Sequence, residues 1–351
     1  MVAWFGRRRA GPIGVDIGTR SVKLLQLDAD RSDVREAARW DIPPAAEGAT
    51  SDDHDQAVVN ALVKARLGRN FRGREAVFSI GGRDLFVQNI RVAQAAGDEL
   101  EKIVHFEAAG RLPYKREEAE IRYLEAADVR QGETMRREVI LLACNRAVIQ
   151  RTLAIADRAG LVAAAIDVEP TAMLRGYAKQ FRRDEDQQAR MLVVNIGASS
   201  TSVVVARGGD AMFAKYVDVG GRQMDEAVAQ HLKLSPDDAS ALRRHNGDRR
   251  ADQRDPEMAR SVAEALRGVL EQLAGELSMC IRYYSVTFRG QPLARVVLGG
   301  GEAAPGIAEW LSARLEMPCE LGNPLRSFSR APAGRASQWD VAAGLALKPI
   351  E

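Results

Sequence analysis

Cysteine and histidine are both scarce in this 351-residue chain, with three of the former and four of the latter. Cys144, Cys280 and Cys319 are odd in number and widely spaced. That excludes a fully paired disulfide framework and is expected of a reducing compartment, with each thiol packed as a small buried hydrophobe. His54, His105, His231 and His245 are equally dispersed, so no sequence-local His/Cys cluster offers metal-ligand spacing. No apolar run approaches the roughly 20 residues of a membrane-spanning helix. Charge of one sign is also missing. Since 50 Lys and Arg stand against 48 Asp and Glu, a net of +2, no overall field points to a nucleic-acid partner. The amino-terminal stretch has basic and aromatic residues but lacks a signal-peptide core. Trp4, Phe5 and Arg7 to Arg9 suit contact with an anionic membrane surface, and they suit a frayed basic start equally. The chain is expected in the cytoplasm, with any membrane association indirect.

What is present is ample material for packing. At 46% hydrophobic and 28% charged residues the chain is not compositionally disordered, and its length suits two domains or two halves of one. Ile13 to Asp16 and Val22 to Leu27 read as strands joined by Gly18-Thr19-Arg20-Ser21. A surface loop over 42–56 precedes a helix near 55–67 and a strand over 76–80. An extended stretch over 86–92, a helix over 98–111, two strands over 120–125 and 138–143 and a helix over 146–159 follow. Residues 92–162 thus read as a compact α+β subdomain inserted in the first half. After the charged stretch 182–190, Met191 to Asn195 and Thr201 to Ala206 form a second strand pair around Gly197-Ala198-Ser199-Ser200. The plan of residues 13–27 is repeated, which is evidence for duplicated halves. A helix over 221–232 precedes 235–257, where Pro236, Gly247, Pro256 and many charges predict an exposed excursion. Leu266, Leu270, Leu273, Leu277, Ile281 and Tyr284 mark the buried face of a long helix over 258–288. A strand over 294–298 meets Gly299-Gly300-Gly301, and helices over 305–315 and 338–347 end the chain.

The glycine turns carry the chemistry. A glycine-rich turn between strands exposes backbone N–H groups and lets a ligand come close. Gly18, Thr19, Arg20 and Ser21 suit a phosphate in this way. Asp16, at the preceding strand end, is the candidate metal ligand, since a carboxylate there can hold Mg²⁺ or its water shell. Lys23 is charge-compatible with phosphate, although strand alternation can aim it elsewhere. Gly197, Ala198, Ser199 and Ser200 offer the same chemistry, and Gly299, Gly300 and Gly301 allow close approach to a sugar or base. Each turn alone is explained by an ordinary β-turn; three in these positions point to a nucleotide. Tyr283, Tyr284, Trp310 and Trp339 read as packing groups.

The whole pattern resembles the actin, heat-shock-chaperone and sugar-kinase superfamily, and within it the PilM family of type IV pilus assembly. Ile13-Gly-Val-Asp-Ile-Gly-Thr-Arg-Ser-Val-Lys23 looks like the first phosphate loop and Leu192-Val-Val-Asn-Ile-Gly-Ala-Ser-Ser-Thr201 like the second. Val297-Leu-Gly-Gly-Gly-Glu302 resembles the nucleoside loop, and Trp339-Asp-Val-Ala-Ala-Gly344 the final connecting element. Ala159 to Pro170 and the helix leading through Glu107 to Leu112-Pro113-Tyr114 are PilM-like as well. The resemblance, over about 11–348, implies an α/β, actin-like (ribonuclease H-like) duplicated fold with a small inserted α+β subdomain. Its first half would be 11–91 with 163–190, the insert 92–162 and the second half 191–348. It implies ATP or ADP with Mg²⁺ held between the halves, Asp16, Asn195 and Asp167 as catalytic candidates, and Gly221, Asp225 and Glu276 as further nucleotide contacts. Asp167 equally suits a helix cap, Gly221 with Asp225 a plain helix start, and Glu276 with Arg282 a solvent-facing pair of positions.

One departure matters for chemistry. Asn195 stands where actin-like ATPases commonly carry an acid, so it can hydrogen-bond water or phosphate but brings no charge to a hydrated metal. Binding is therefore expected, with weak or absent hydrolysis. The resemblance further implies a cytoplasmic scaffold at the inner face of the inner membrane, in pilus or related secretion machinery. Its partner would be a PilN-like inner-membrane protein, bound through that protein's cytoplasmic amino-terminal segment in a groove made from parts of 76–162. Self-association is compatible with this role. An FtsA-like division protein is expected to carry an amphipathic carboxy-terminal helix, which Pro349-Ile-Glu351 does not supply. A small-molecule kinase needs a general base for which no candidate stands out.

Overall fold

A computed structural model describes residues 10–44, 48–178, 180, 188–248, 255–289 and 292–350. The aromatic and basic amino-terminal residues Trp4, Phe5 and Arg7 to Arg9, most of the charged stretch 182–190 and residues 249–254 of the expected excursion lie outside these. The chain divides into two compact units. Unit 1 comprises Met1–Ile80, Ile149–Gln180 and Pro324–Glu351; unit 2 comprises Gly81–Val148 and Phe181–Asn323.

Unit 1 is built on a five-stranded sheet. Its strands are β1 (Ile13–Ile17), β2 (Ser21–Leu27), β3 (Val34–Asp41), β4 (Glu75–Ile80) and β8 (Val162–Val168), in the order β3-β2-β1-β4-β8. β1, β2 and β3 form an antiparallel meander, while β4 and β8 run parallel to β1. Every residue of β2 is buried, because helices cover both faces and alternation of polar residues is not required. On one face Ile13, Val15, Val22 and Leu24 meet Val58 and Leu62 of α1 (Ser51–Arg66). Ile155 and Ala156 of α3 (Arg146–Arg158) join the same cluster. On the other, Leu25, Leu27 and Val34 meet Ala342, Ala343 and Ala346. A capping box at Thr50, whose N–H and Oγ1 pair with Asp53, starts α1 four residues ahead of the span expected from sequence. Behind the sheet, α4 (Glu169–Ala178) crosses α9 (Asp340–Ala346). A Cβ added at Gly344 would fall 1.7 Å from the Ala172 carbonyl oxygen, and one at Gly14 in β1 2.2 Å from that of Ala342. Tyr177 of α4 donates its hydroxyl to Asp340 Oδ2 at 3.3 Å.

Unit 2 repeats this plan. β9 (Arg190–Ile196), β10 (Thr201–Arg207), β11 (Asp210–Val217), β12 (Arg295–Gly299) and β13 (Cys319–Leu321) take the order β11-β10-β9-β12-β13. Again three strands form an antiparallel meander and two run parallel to the first of them. The helices described here are α5 (Gly221–Leu232), α6 (Pro236–Asp248), α7 (Pro256–Thr287) and α8 (Pro305–Leu315). Leu266, Leu270, Leu273, Leu277 and Tyr284 of α7 enter the core as their spacing predicts, and Ile281 packs against it.

A smaller antiparallel sheet also clusters with unit 2. It holds β5 (Phe86–Ala93), β6 (Ala119–Gln131) and β7 (Thr134–Asn145) in the order β5-β7-β6, with α2 (Gly97–Ala109) packed on it. Asn89 joins β5 to β11 by donating Nδ2 to the Ala214 oxygen at 2.7 Å and accepting from the Ala214 N–H. Glu138, fully buried in β7, accepts from Arg91 Nε at 2.9 Å and from the hydroxyl of Tyr283 in α7.

These units differ from the division drawn on sequence at three places. The small sheet begins at Phe86. Residues 155–161 belong to the unit 1 core. The last helix, counted with the second half, packs on β1 because Gly14 lets its backbone come close. The excursion expected over 235–257 is also corrected. Residues 236–248 form α6, begun by Ser235 accepting from the Asp238 N–H, and Ala239 and Arg243 are buried.

Candidate functional site

The two repeated turns share the same closing backbone hydrogen bond. In unit 1 the Gly18 N–H donates to the Ser21 oxygen at 3.0 Å; in unit 2 the Gly197 N–H donates to the Ser200 oxygen at 3.0 Å. Two residues before each glycine stand Asp16 and Asn195, and five after it stand Lys23 and Ser202. Strand register sets these residues opposite each other, Asp16 with Lys23 and Asn195 with Ser202. Alternation therefore aims Lys23 at the site, on the same face as Asp16. Lys23 Nζ donates to Asp16 Oδ2 at 2.7 Å, with both side chains largely buried. Burial opposes the charge on Lys23, but Asp16 and, further off, Asp340 outweigh it and raise the ammonium pKa. In unit 2 the equivalent pair is neutral, and the buried Ser202 hydroxyl has no hydrogen-bond partner among the described residues. Sequence reading missed Ser202, although its offset from the turn glycine equals that of Lys23.

Around the second turn the structure gathers further predicted residues. α5 starts against it: the Gly221 and Arg222 N–H groups donate to the Gly197 and Ala198 oxygens at 3.0 and 2.8 Å. Gly299 ends β12 opposite Asn195, and Glu302 N–H folds back to the Ile196 oxygen at 3.1 Å. Gly300 is obligatory here, with φ +90° and an added Cβ only 2.4 Å from the Ile196 oxygen. Gly301 differs, since an added Cβ would meet nothing within 4 Å. The packing of the protein itself does not require a glycine at 301.

Asp225 and Glu302 share one guanidinium. Arg243 donates Nε to Asp225 Oδ1 and Nη2 to Glu302 Oε2, both at 2.7 Å, and all three side chains are at most 6% exposed. Burial disfavours the charge on Arg243, but Glu302 and Asp225 outweigh it and raise its pKa. Glu276 is placed elsewhere: it accepts from Lys215 Nζ at 2.8 Å, in β11, which β10 and β9 separate from β12.

Asp167 is the penultimate residue of β8. Its carboxylate accepts from the Val168 N–H and the Thr171 hydroxyl, and pairs with Arg175 at 3.0 Å and Lys348 at 3.3 Å. Burial pushes its pKa up, yet Arg175, Thr171, Val168 and Lys348 prevail and hold it below the ordinary 3.8. A carboxyl with a depressed folded pKa stabilises the fold above its unfolded pKa, and that contribution fades as pH drops through the folded value. Asp167→Asn is therefore expected to cost about 1–3 kcal/mol at neutral pH. The gap to wild type in denaturant midpoint should shrink below pH 3.8. An equal gap at pH 7 and pH 3 would contradict the ion-pair account.

These residues can be tested against a nucleotide with magnesium. In unit 2 a buried Ser202 hydroxyl without a hydrogen-bond partner among the described residues and open space over Gly301 suit phosphate and nucleoside groups; in unit 1, taken by itself, the buried Lys23 ammonium suits phosphate. Among the described residues no group of three or more His, Cys, Asp or Glu gathers for a metal. Mg²⁺ commonly takes one or two carboxylates plus the substrate's own phosphates, so Asp16 alone is an adequate protein ligand. The residues fit the pair.

A duplicated sheet plan of three antiparallel and two parallel strands, each copy with a glycine turn after its first strand, is the actin-like α/β fold. A PilM–PilN type IV pilus biogenesis complex has a chain 24% identical, with a TM-score of 0.80 over 98% of this chain and 99% of that one. The ethanolamine utilization protein EutJ from Carboxydothermus hydrogenoformans is 17% identical, with a TM-score of 0.58 over 97% of this chain and 93% of that one. At these identities the likenesses speak for the fold. The family is set by a profile match over residues 14–350: the chain belongs to the family of the type IV pilus assembly protein PilM.

Proposed function

We propose that the protein is a nucleotide-binding cytoplasmic scaffold of a type IV pilus or related secretion machine, at the inner face of the inner membrane. It binds ATP or ADP with Mg²⁺, and the cytoplasmic amino-terminal segment of a PilN-like inner-membrane protein. The observation that carries the nucleotide part is the duplicated turn, Asp16-Lys23 in one copy and Asn195-Ser202 in the other. Family membership and the likeness to a chain of a PilM–PilN complex support the assembly part.

Gly18 to Ser21 and Gly197 to Ser200 supply backbone N–H groups and hydroxyls for phosphate oxygens. Lys23 would hold phosphate by its charge, and Asp16 would hold the ion or its water shell. Ser202 would offer its hydroxyl to phosphate or water, and the bare surface of Gly301 would leave room for the sugar or base. Bound magnesium would neutralise phosphate charge. Asn195 orients water without drawing off a proton, so the site favours holding a nucleotide over hydrolysing it. A state of the scaffold that persists while nucleotide is bound follows from that.

Calorimetry with Mg-ATP on wild type and Asp16→Ala, with phosphate release followed in parallel, tests the reading. Affinity should fall about tenfold or more in the variant, and release by wild type should be slow. Folded wild type that binds no ATP would remove the nucleotide from the function and leave protein contacts alone.

A further inference from the structure

The helix that replaces the expected excursion puts a guanidinium at the centre of a buried ion cluster beside the glycine turn 299–301. Asp225 lies in the second turn of α5, Glu302 directly follows the three glycines, and Arg243 reaches both from α6. The three glycines have no side chains with which to fix their own position, so their flanks must fix it. One flank is the pair of contacts to Ile196, made by Gly300 and by the Glu302 N–H. The other is the Glu302 side chain. It is packed so closely on α5 that a Cβ at Gly221 would fall 2.5 Å from its carboxyl carbon. What holds that side chain there is Arg243, with Arg244 3.7 Å from the other carboxylate oxygen. A planar guanidinium donates in two directions at once and so bridges carboxylates that would otherwise repel. The phosphate turn is held separately from Glu302, since the Gly221 and Arg222 N–H groups bind the Gly197 and Ala198 oxygens directly, and Arg243 reaches that helix start only by a long 3.5 Å bond from Nη2 to the Gly221 oxygen.

We propose that Arg243 is the positioning residue for the nucleoside end of the site: by holding Glu302 against α5 it sets the turn 299–301, so that α6 governs recognition of sugar and base while leaving phosphate recognition alone. This rests on the nucleotide reading above.

Calorimetry on full-length wild type, Arg243→Met and Arg243→Lys, with Mg-ATP and with inorganic tripolyphosphate as separate probes, tests it. Arg243→Met should weaken ATP about tenfold and leave tripolyphosphate unchanged. Arg243→Lys, which keeps a buried charge but cannot fork across two carboxylates, should fall between. Where the methionine variant does not fold, the lysine variant decides. Its amides over 297–304 should exchange hydrogen faster than wild type, and its ATP affinity should drop without loss of tripolyphosphate. Unchanged ATP affinity in the folded variants overturns the proposal, and so does an equal loss of both probes, which is the mark of a merely structural role. Folded wild type that binds neither probe defeats the nucleotide reading itself; wild type that binds ATP beside unaffected variants defeats only the role of Arg243.

Discussion

Gly344→Ala is expected to lower the unfolding free energy by about 3 kcal/mol or more, one of the largest losses a single methyl group can cause in this protein. The added carbon would sit 1.7 Å from the Ala172 oxygen and 3.0 Å from the Gly176 nitrogen, both backbone atoms of α4. No rotamer change relieves a clash with backbone, so α4 and α9 must separate. They cannot do so independently, because α9 also lies against β1 at Gly14 and carries Ala342, Ala343 and Ala346 into the core with Leu25 and Leu27. Parting the helices would also stretch the Tyr177 bond to Asp340 and that from Arg175 Nη1 to the Gly344 oxygen. Gly268→Ala in α7 is the control. Its Cβ meets nothing within 4 Å, so the helix should gain about 0.5–1 kcal/mol from the lost flexibility of glycine. Urea denaturation of both variants checks the pair. If Gly344→Ala unfolds like wild type, the close crossing of α4 and α9 is not what holds this unit.

Gly301→Val should behave in the opposite way, leaving the fold intact and abolishing most nucleotide binding. Its Cβ would meet nothing within 4 Å, so stability should change by no more than about 0.5 kcal/mol. If the sugar or base lies against the turn, the same atoms occupy the ligand's space, and ATP affinity should fall on the order of 100-fold. Gly300→Ala separates this effect from general damage to the turn. There φ is +90° and the Ile196 oxygen lies 2.4 Å from the new carbon, so the loss should appear as stability. Thermal melts and calorimetry on the two variants read the distinction. Undiminished ATP binding by Gly301→Val would show that the nucleoside does not approach this turn.

Much of the site is legible in the amino-acid sequence because it depends on local pattern. Asp16-Ile-Gly18 and Asn195-Ile-Gly197 follow runs of apolar residues, and small hydroxyl residues follow each glycine; the turn geometry is set within five residues. That Lys23 faces Asp16 is decided by the strand register, which the structure supplies. The charged stretch after Leu234 misleads, because its prolines and charges mask a helix that tertiary contacts stabilise. Burial of Arg243 depends on two carboxylates 18 and 59 residues away, which periodicity does not register. Asp167 suits a catalytic group and a cap equally by sequence, and its ion pairs with Arg175 and Lys348 depend on folding. β3, β8, β11 and β13 escape a reading by pattern because pairing with neighbouring strands, more than their own residue types, holds them extended.

The amino-acid sequence by itself determined the duplicated strand–turn–strand plan, the neutral Asn195 in the second copy and the glycine run over 299–301. Each follows from residue types close together in the chain. Tertiary structure alone decided that the last helix completes the first unit, that Ser202 lacks a partner among the described residues and that one arginine holds two carboxylates beside the glycines. Those outcomes depend on which distant backbones can approach within a few ångströms and on which charges must neutralise one another away from water, and neither is a property of any short stretch of sequence.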